Sequence, residues 1–428
     1  MKKRLRFLIL SVFLLMGCGK KLMQETVPVI KVAFWGTPEE IEIIESIIGP
    51  WQKEHPEIKI ELEHTPFAGY VNKILTRIAG GAPPDVICVE ANLFVSLWSK
   101  GIFLNLNPFL EKDRDFSLRD FFPEVVKRFT VEGKVYGIPR DTAPFACVYY
   151  NKKIFAEKGI PYPTDDWTWQ DLLEKAKALT EYDAEGRPIR YGFYGWAWQN
   201  FVYSQGGALV DNVEKPRRSL LDTPESIEGL KFYVDLIHKY KVSPAPNALM
   251  NLGMGVQMMF MTGRLAMFSS GIWETPILRK AKDFDWDVVM FPKGPKGIRA
   301  FGTGGSAYGI LKTTKYPEKA WEVVKALTDE RAQTILADSG LAQPANRKIA
   351  ESKHFALDDK LPLNKKMLNE AVKYVIYEPF HPHWREINEL YIVPELEMVF
   401  NGQRTVEEAI FKIVPEINKL LKKDEQDL

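Results

Sequence analysis

The run Val29-Ile30-Lys31-Val32-Ala33-Phe34-Trp35 is apolar at every position but Lys31, the pattern of a strand buried on both faces. The period then changes. Ile41, Ile44, Ile48 and Trp51 recur at helical spacing behind Thr37 as an N-cap, Pro38 at the first helical position and Glu40 as the partner of a capping box. Ile58, Ile60 and Leu62 alternate as a second strand. Residues 70–79 return to helical spacing until Gly80-Gly81-Ala82-Pro83-Pro84 breaks it, and residues 85–89 form another apolar run. Strand–helix–strand–helix–strand is the rhythm of a parallel α/β sheet, whose ligands collect at the carboxyl ends of the strands. Trp35, residues 65–67 and residues 90–92 lie at three such ends.

Farther along, residues 136–139 and 146–150 read as strands, so the chain is expected to cross to a second lobe near residues 141–145. Thr168 caps a helix with Leu172, Ala176 and Leu179 inward, and Thr223-Pro224 opens one bearing Ile227, Leu230, Val234 and Ile237. Residues 286–291 and 306–311 are strand-like, and Pro317 starts a helix with Trp321, Val324 and Leu327. Thr405 caps a last helix striped by Val406, Ile410, Ile413, Ile417 and Leu420. Such stripes are core. The chain has no internal repeat, and low complexity is confined to the charged residues 422–428.

One apolar stretch belongs to neither lobe. Residues 7–15 follow the basic head Lys2-Lys3-Arg4-Leu5-Arg6 and lead into Leu15-Met16-Gly17-Cys18. A positive segment, a short apolar segment and a small residue before the cut describe a secretory signal peptide, too short to remain as a membrane span. The cysteine resembles that of a bacterial lipobox. Residues 1–17 are therefore read as a signal peptide and residues 18–28 as a tether acylated at Cys18, which makes the protein an exported, membrane-anchored lipoprotein, periplasmic or at the cell surface. Removing residues 1–17 takes four basic and no acidic residues, so 57 basic against 56 acidic becomes 53 against 56, a formal −3. That balance leaves no electrostatic footprint for nucleic acid. About 410 remaining residues exceed what one core usually holds, so two or three lobes are expected. Cys88 and Cys147 sit in apolar, strand-like surroundings and read as small buried hydrophobes, although a bridge between them is open in an oxidising compartment.

No catalytic or metal motif stands out. Gly302-Thr303-Gly304-Gly305-Ser306 is glycine-rich without the lysine and helix start of a phosphate cradle. Asp165-Asp166 is read as capping near Thr168, and His381-Pro382-His383 lacks a nearby third metal ligand. Asp85 is read as tying down local backbone. The informative residues are tryptophans in loops, off any helical stripe: Trp35, Trp196 and Trp198 in Tyr194-Gly195-Trp196-Ala197-Trp198, Trp273 after Ser270-Gly271, and Trp384. The apolar face of a sugar ring stacks on indole while its hydroxyls need carboxylates and amides at the rim. Local core filling explains any one of these tryptophans better than it explains all of them.

Several segments in order then resemble one family, the extracellular solute-binding proteins of the sugar-type group (family 1). Val32-Ala33-Phe34-Trp35-Gly36 resembles its first strand, and Trp51-Gln52-Lys53-Glu54-His55-Pro56-Glu57-Ile58-Lys59-Ile60 its "F-E-x-x-x-P-x-I-K-V" step. Gly80-Gly81-Ala82-Pro83-Pro84-Asp85-Val86 is similar to "G-x-x-P-D-V", and Val148-Tyr149-Tyr150-Asn151-Lys152-Lys153-Ile154-Phe155 to "L-x-Y-N-K-x-x-F". Gly263-Arg264-Leu265-Ala266-Met267 with Gly271-Ile272-Trp273 resembles "G-K-A-A-M…G-x-W", and Gly402-Gln403-Arg404-Thr405-Val406-Glu407-Glu408-Ala409 resembles "G-x-x-T-x-E-E-A-L". Asp141 departs from the family, which has an apolar residue there.

The resemblance implies an α/β, two-lobed periplasmic-binding-protein-like fold of type II with the ligand between the lobes. Residues 29–142 plus 301–340 would form the N-terminal lobe, and residues 143–300 plus 341–428 the C-terminal lobe. It implies sugar contacts at Trp35, Glu90, Asn92, Trp196, Trp198, Ser270 and Trp273, to which Phe67, Asp141, Gly304, Gly305, Ser306 and Trp384 are added. It further implies a monomeric receptor, not an enzyme, without cofactor, that closes on a sugar or oligosaccharide and delivers it to the permease subunits of an ABC importer. A receptor for another solute, such as a polyol or phosphodiester, is the alternative. A secreted carbohydrate-active enzyme would need a carboxylate pair across a cleft, and beyond Glu90 and Asp141 the sequence offers none.

Overall fold

The computed structural model describes residues 27–357 and 359–423, so the signal-peptide and Cys18 assignments lie outside the described residues. Two sheets organise the chain. The first has six strands in the order Gln343–Pro344, Ile138–Thr142, Ser306–Ile310, Val86–Glu90, Val29–Trp35 and Lys59–Thr65. The three amino-terminal strands are parallel, as their rhythm predicts. Ser306–Ile310, returning from the second lobe, enters antiparallel between Val86–Glu90 and Ile138–Thr142, so the sheet is mixed rather than parallel. Alternation along Val29–Trp35 sends Ile30, Val32 and Phe34 to one core with helices Pro38–Glu54 and Pro317–Thr328. Ala33 faces the other core, with Tyr70 and Ile74 of helix Phe67–Ala79 and Phe94.

The second sheet has four strands in the order Tyr194–Gly195, Met267–Ser270, Cys147–Asn151 and Trp286–Met290. Its core collects the inward stripes of helices Trp169–Leu179, Pro224–His238 and Val406–Leu421. Thr168 and Thr405 each form a full capping box, with Asp171 and Glu408 respectively. Asp171, not Asp165 or Asp166, serves the first of these caps: Asp165 accepts the Met290 N–H at 2.9 Å, and Asp166 meets Lys293. At Thr37 the hydroxyl accepts the Glu40 N–H at 3.3 Å, but the Glu40 carboxylate is drawn inward to Arg140 Nη1 at 3.0 Å. Asp85 does tie down backbone, accepting the Lys31 N–H at 2.9 Å and the Thr314 hydroxyl at 2.7 Å. Cys88 and Cys147 are free, fully buried thiols in different sheets, and burial pushes the Cys88 thiol up to about 12.

Two of the crossings between the lobes, near residues 143–145 and 301–304, run side by side, and the chain crosses again after Ala350. The Phe145 N–H donates to Gly302 C=O at 2.9 Å, and the Gly304 N–H to Ala143 C=O at 3.0 Å. Asn200, fully buried on helix Gln199–Gln205, fastens both: its Nδ2 donates to Phe145 C=O and its Oδ1 accepts the Gly302 N–H, each at 2.8 Å. Val375–Ile376 pairs with Phe301–Gly302 beside them. The chain stays with the first sheet past residue 340, where the division was drawn: Gln343 and Pro344 pair with Thr142 and Asp141, and Ala345 and Ala350 pack in the first lobe's core. Replacing Asn200 by alanine leaves a buried donor and a buried acceptor unsatisfied. A loss of about 1–3 kcal/mol is expected, read as a lower urea midpoint with unchanged far-ultraviolet circular dichroism.

Candidate ligand cleft between the lobes

The mixed sheet gathers residues far apart in sequence. Trp35 is level with Thr65, and Ser306 is level with both Glu90 and Asp141, so five strand ends meet at one edge beside the crossings. Trp35 stands there edge-on to Phe67 (centroids 5.6 Å apart) and Tyr70 (5.2 Å), with the Arg140 guanidinium 5.9 Å from its ring. Phe67 is 55% exposed. From the second lobe, Trp196 and Trp273 lie 6.5 Å apart, each edge-on to Phe145 at 4.9 and 6.0 Å. Trp273 also packs against the first lobe's core, so one indole spans both lobes. Lys280 to Glu39 (3.0 Å), Lys127 to Glu214 (3.1 Å) and Arg385 to Asn72 (2.8 Å) join the lobes around it.

Trp273 is held from behind. The Glu274 carboxylate accepts from Ser270 Oγ and from Gln257 Nε2, both at 2.7 Å, which fixes the turn that carries the indole. The ring itself lies where a side chain on Gly271 would go, 1.8 Å from the ideal Cβ position. Gly271→Ala is thus expected to displace the indole and weaken ligand binding without changing the strand order. Titration calorimetry beside a thermal melt checks it.

The floor of the cleft is polar. The Glu90 carboxylate comes within 2.9 Å of the place a Gly304 side chain would occupy, so glycine there makes room for it. Asn92 Nδ2 donates to Thr303 C=O at 3.3 Å, while its Oδ1 has no partner among the described residues. Among the described residues Gln199 Oε1 and Arg128 Nη1 are likewise buried without partners. Burial, and then the neighbouring Glu378 carboxylate, push the Glu90 carboxyl up to about 8 from an ordinary 4.5. A carboxyl raised on folding binds more protons in the native state, so its contribution to stability is present below pH 4.5 and lost as pH rises to 8. The melting temperature of the ligand-free protein is therefore expected to fall more steeply across that interval than that of Glu90→Gln.

Trp35, Phe67, Glu90, Asn92, Trp196, Trp273 and Gly304 converge on this cleft. The other candidates are placed differently. Asp141 is 3% exposed and spends its carboxylate inward: Oδ1 accepts the Ser306 N–H at 2.8 Å, and Oδ2 accepts Ser306 Oγ at 2.9 Å and Arg140 Nε at 2.6 Å. Asp141 and Ser306 therefore brace the crossings for each other. Gly305 supplies the turn there, at φ +112° with the Asp141 carbonyl 3.1 Å from its ideal Cβ position. Trp384 is buried core whose Nε1 donates to Glu378 Oε2 at 2.9 Å, Trp198 packs on the second lobe's core, and Ser270 serves Glu274. Sequence reasoning missed Phe145, Arg128, Gln199 and Glu378. Two surface cavities of about 320 and 510 Å³ lie on the second lobe, lined by Lys293, Arg299 and Tyr374 and by Trp169, Gln205 and Phe232, apart from the cleft.

Two α/β lobes, paired crossings and an aromatic cleft with a polar floor define a two-lobed ligand receptor of the type II periplasmic-binding-protein fold. The bacterial extracellular solute-binding protein family matches residues 36–334, and the chain belongs to it. Among its relatives, the multiple sugar-binding protein of Streptococcus mutans is 26% identical over 375 residues, covering 83% of this chain and 84% of the relative. The arabinooligosaccharide-binding protein of Halalkalibacterium halodurans is 25% identical over 331 residues, 74% and 69% of the two chains. An ABC substrate-binding protein of Listeria monocytogenes, solved in complex with cycloalternan, superposes with a TM-score of 0.83 at 27% identity over 92% of this chain and 99% of that one.

Proposed function

We propose that this protein is the extracytoplasmic carbohydrate receptor of an ABC importer, closing its lobes on a sugar or oligosaccharide and presenting it to the membrane permease. The observation that carries this reading is the set of aromatic clusters beside the crossings, Trp35 with Phe67 on one lobe and Trp273, Trp196 and Phe145 on the other, with Glu90, Asn92 and Gln199 among the polar groups near them. Indole faces take the C–H faces of pyranose rings, and the polar floor takes hydroxyls. Ligand contacting both lobes favours the closed form by its differential affinity for it. Asp141, Ser306, Ser270 and Trp384 support the wall and floor on this reading rather than touch sugar. Acylation at Cys18 would keep a monomeric receptor near the permease.

Calorimetric titration of the form lacking residues 1–18 against neutral mono- and oligosaccharides, with tryptophan fluorescence alongside, tests the proposal. Saturable binding with a fluorescence change and no turnover is expected. Silence toward sugars with binding of a polyol or phosphodiester would replace the ligand class, and sugar turnover would replace the receptor reading.

A further inference from the structure

We propose that the groove of about 510 Å³ on the second lobe binds a small organic cation, an ammonium or guanidinium carrying an apolar group. The inference goes beyond the carbohydrate reading and does not depend on it. The groove lies at the end of helix Gln199–Gln205 opposite Asn200, between the amino end of helix Trp169–Leu179, helix Pro224–His238 and the loop of residues 294–297. Phe232, half-buried, stacks on the buried Trp169 with ring centroids 4.4 Å apart and planes at 20°, which gives the groove an aromatic wall. The loop comes close because residue 294 is glycine: the Ser204 carbonyl oxygen lies 2.0 Å from its ideal Cβ position.

The polar lining is short of donors and rich in acceptors. Thr168 Oγ1 donates to Asp171 Oδ2 at 2.7 Å, Trp169 Nε1 to Ser204 Oγ at 3.2 Å, and Gln170 Nε2 to Glu174 Oε1 at 2.7 Å. Gln205 is 6% exposed; its Nε2 donates to Glu228 Oε2 at 2.6 Å, and its Oε1 is buried without a partner among the described residues. That amide bond is the one Glu228 accepts among the described residues, and no cation there pairs with its carboxylate. The lysines nearby are engaged elsewhere: Lys231 with Glu407, Lys293 with Asp166, and Lys296 with Glu225 at 3.3 Å. The amino end of helix Trp169–Leu179 would draw an anion, but Asp171 already answers it in the capping box. What the groove lacks is therefore positive charge and N–H donors beside an aromatic ring. An ammonium or guanidinium brings donors and no acceptor, and it is drawn to the face of an aromatic ring. A sugar hydroxyl fits less well, since its own acceptor would find only the second amide hydrogens of Gln170 and Gln205. The smaller cavity, by contrast, is lined by cations of its own, Lys293 and Arg299.

Nitrogen–proton correlation spectra of the purified protein, titrated with n-butylammonium and n-butylguanidinium chloride, test this, with n-butanol and sodium butyrate as controls. Saturable shifts of the Trp169 indole and Gln205 side-chain amide signals are expected with a cation, at a dissociation constant of about 1 mM, and none with either control at the same concentrations. Glu228→Gln should weaken the cation about tenfold and Phe232→Leu about threefold. Glu228 is exposed, so its substitution should leave the melting temperature of the ligand-free protein where it was. No saturable shift with either cation, equal binding of n-butanol or butyrate, or undiminished binding by Glu228→Gln would each overturn the proposal. Competition between n-butylammonium and a sugar bound in the cleft would overturn it too, by placing the cation there. All of these readings are taken without sugar except the last, so a protein silent toward every sugar would lose the carbohydrate reading and leave the cation site to be judged by the rest.

Discussion

Arg140→Ala is expected to destabilise the protein by about 3–5 kcal/mol at neutral pH. The guanidinium is 6% exposed and stands between two carboxylates of different elements: Nη1 meets Glu40 of the first helix at 3.0 Å, and Nε meets Asp141 of the crossing strand at 2.6 Å. Alanine leaves both carboxylates in place without their counter-charge, which costs more than the pair contributed. Lysine does not rescue, because one ammonium cannot reproduce two divergent N–H directions. The defect should shrink toward pH 5. Burial already raises the Glu40 carboxyl, and without Arg140 it rises further, so folding takes up protons and stability falls as pH increases. Urea midpoints at pH 5 and pH 8 decide this, and an Arg140→Ala protein as stable as its parent at pH 8 would mean that the cluster is held by something else. Glu40→Gln combined with Asp141→Asn should restore much of the loss in the Arg140→Ala background.

Trp273→Ala is expected to weaken sugar binding by about 10- to 100-fold, the equivalent of about 1.4–2.8 kcal/mol. Its indole packs against the opposite lobe's core, so its removal takes away both a stacking face and a contact between the lobes. Trp196, 39% exposed, should give a smaller loss on the same substitution. Both indoles contact Phe145, so the double variant should lose less than the two losses added together. Calorimetry with the best sugar from the panel reads all three numbers. Undiminished affinity in the double variant would put the ligand elsewhere.

Local signals carried most of the fold. Thr37, Thr168, Thr223 and Thr405 each cap the helix their spacing predicts, because a cap and its apolar stripe lie within a few residues of one another. The insertion of Ser306–Ile310 beside Val86–Glu90 was not legible, since antiparallel entry depends on a chain returning after more than two hundred residues. The same distance hid the partners of charged side chains. Asp141 stood out as a carboxylate at a crossing, and although Arg140 is its neighbour in sequence, nothing local said that Ser306, 165 residues away, would join it in absorbing the carboxylate. Glu378 and Arg128 gave no sequence signal, since only the folded strap of residues 377–380 sets one against the other. Trp384 was misread for a simpler reason. A tryptophan after a proline-flanked turn resembles a stacking platform, but a short helix from Trp384 to Ile387 turns this one into the core.

Asn200 fastens the two crossings from one side only, through a helix of the second lobe. Phe145 and Gly302 therefore travel with that lobe, and the bonds left to turn lie beyond them, from Ala143 toward Thr142 and from Thr303 to Gly305. In the closure proposed above, the first lobe would swing like a door leaf whose hinge plate is screwed to the opposite frame. Trp196 rides on the frame alone, so exchanging it for another side chain alters what the doorway grips without altering the arc of the swing. Ligand preference and mechanics are separable inheritances in this architecture, and a lineage of such receptors is free to revise the first while keeping the second.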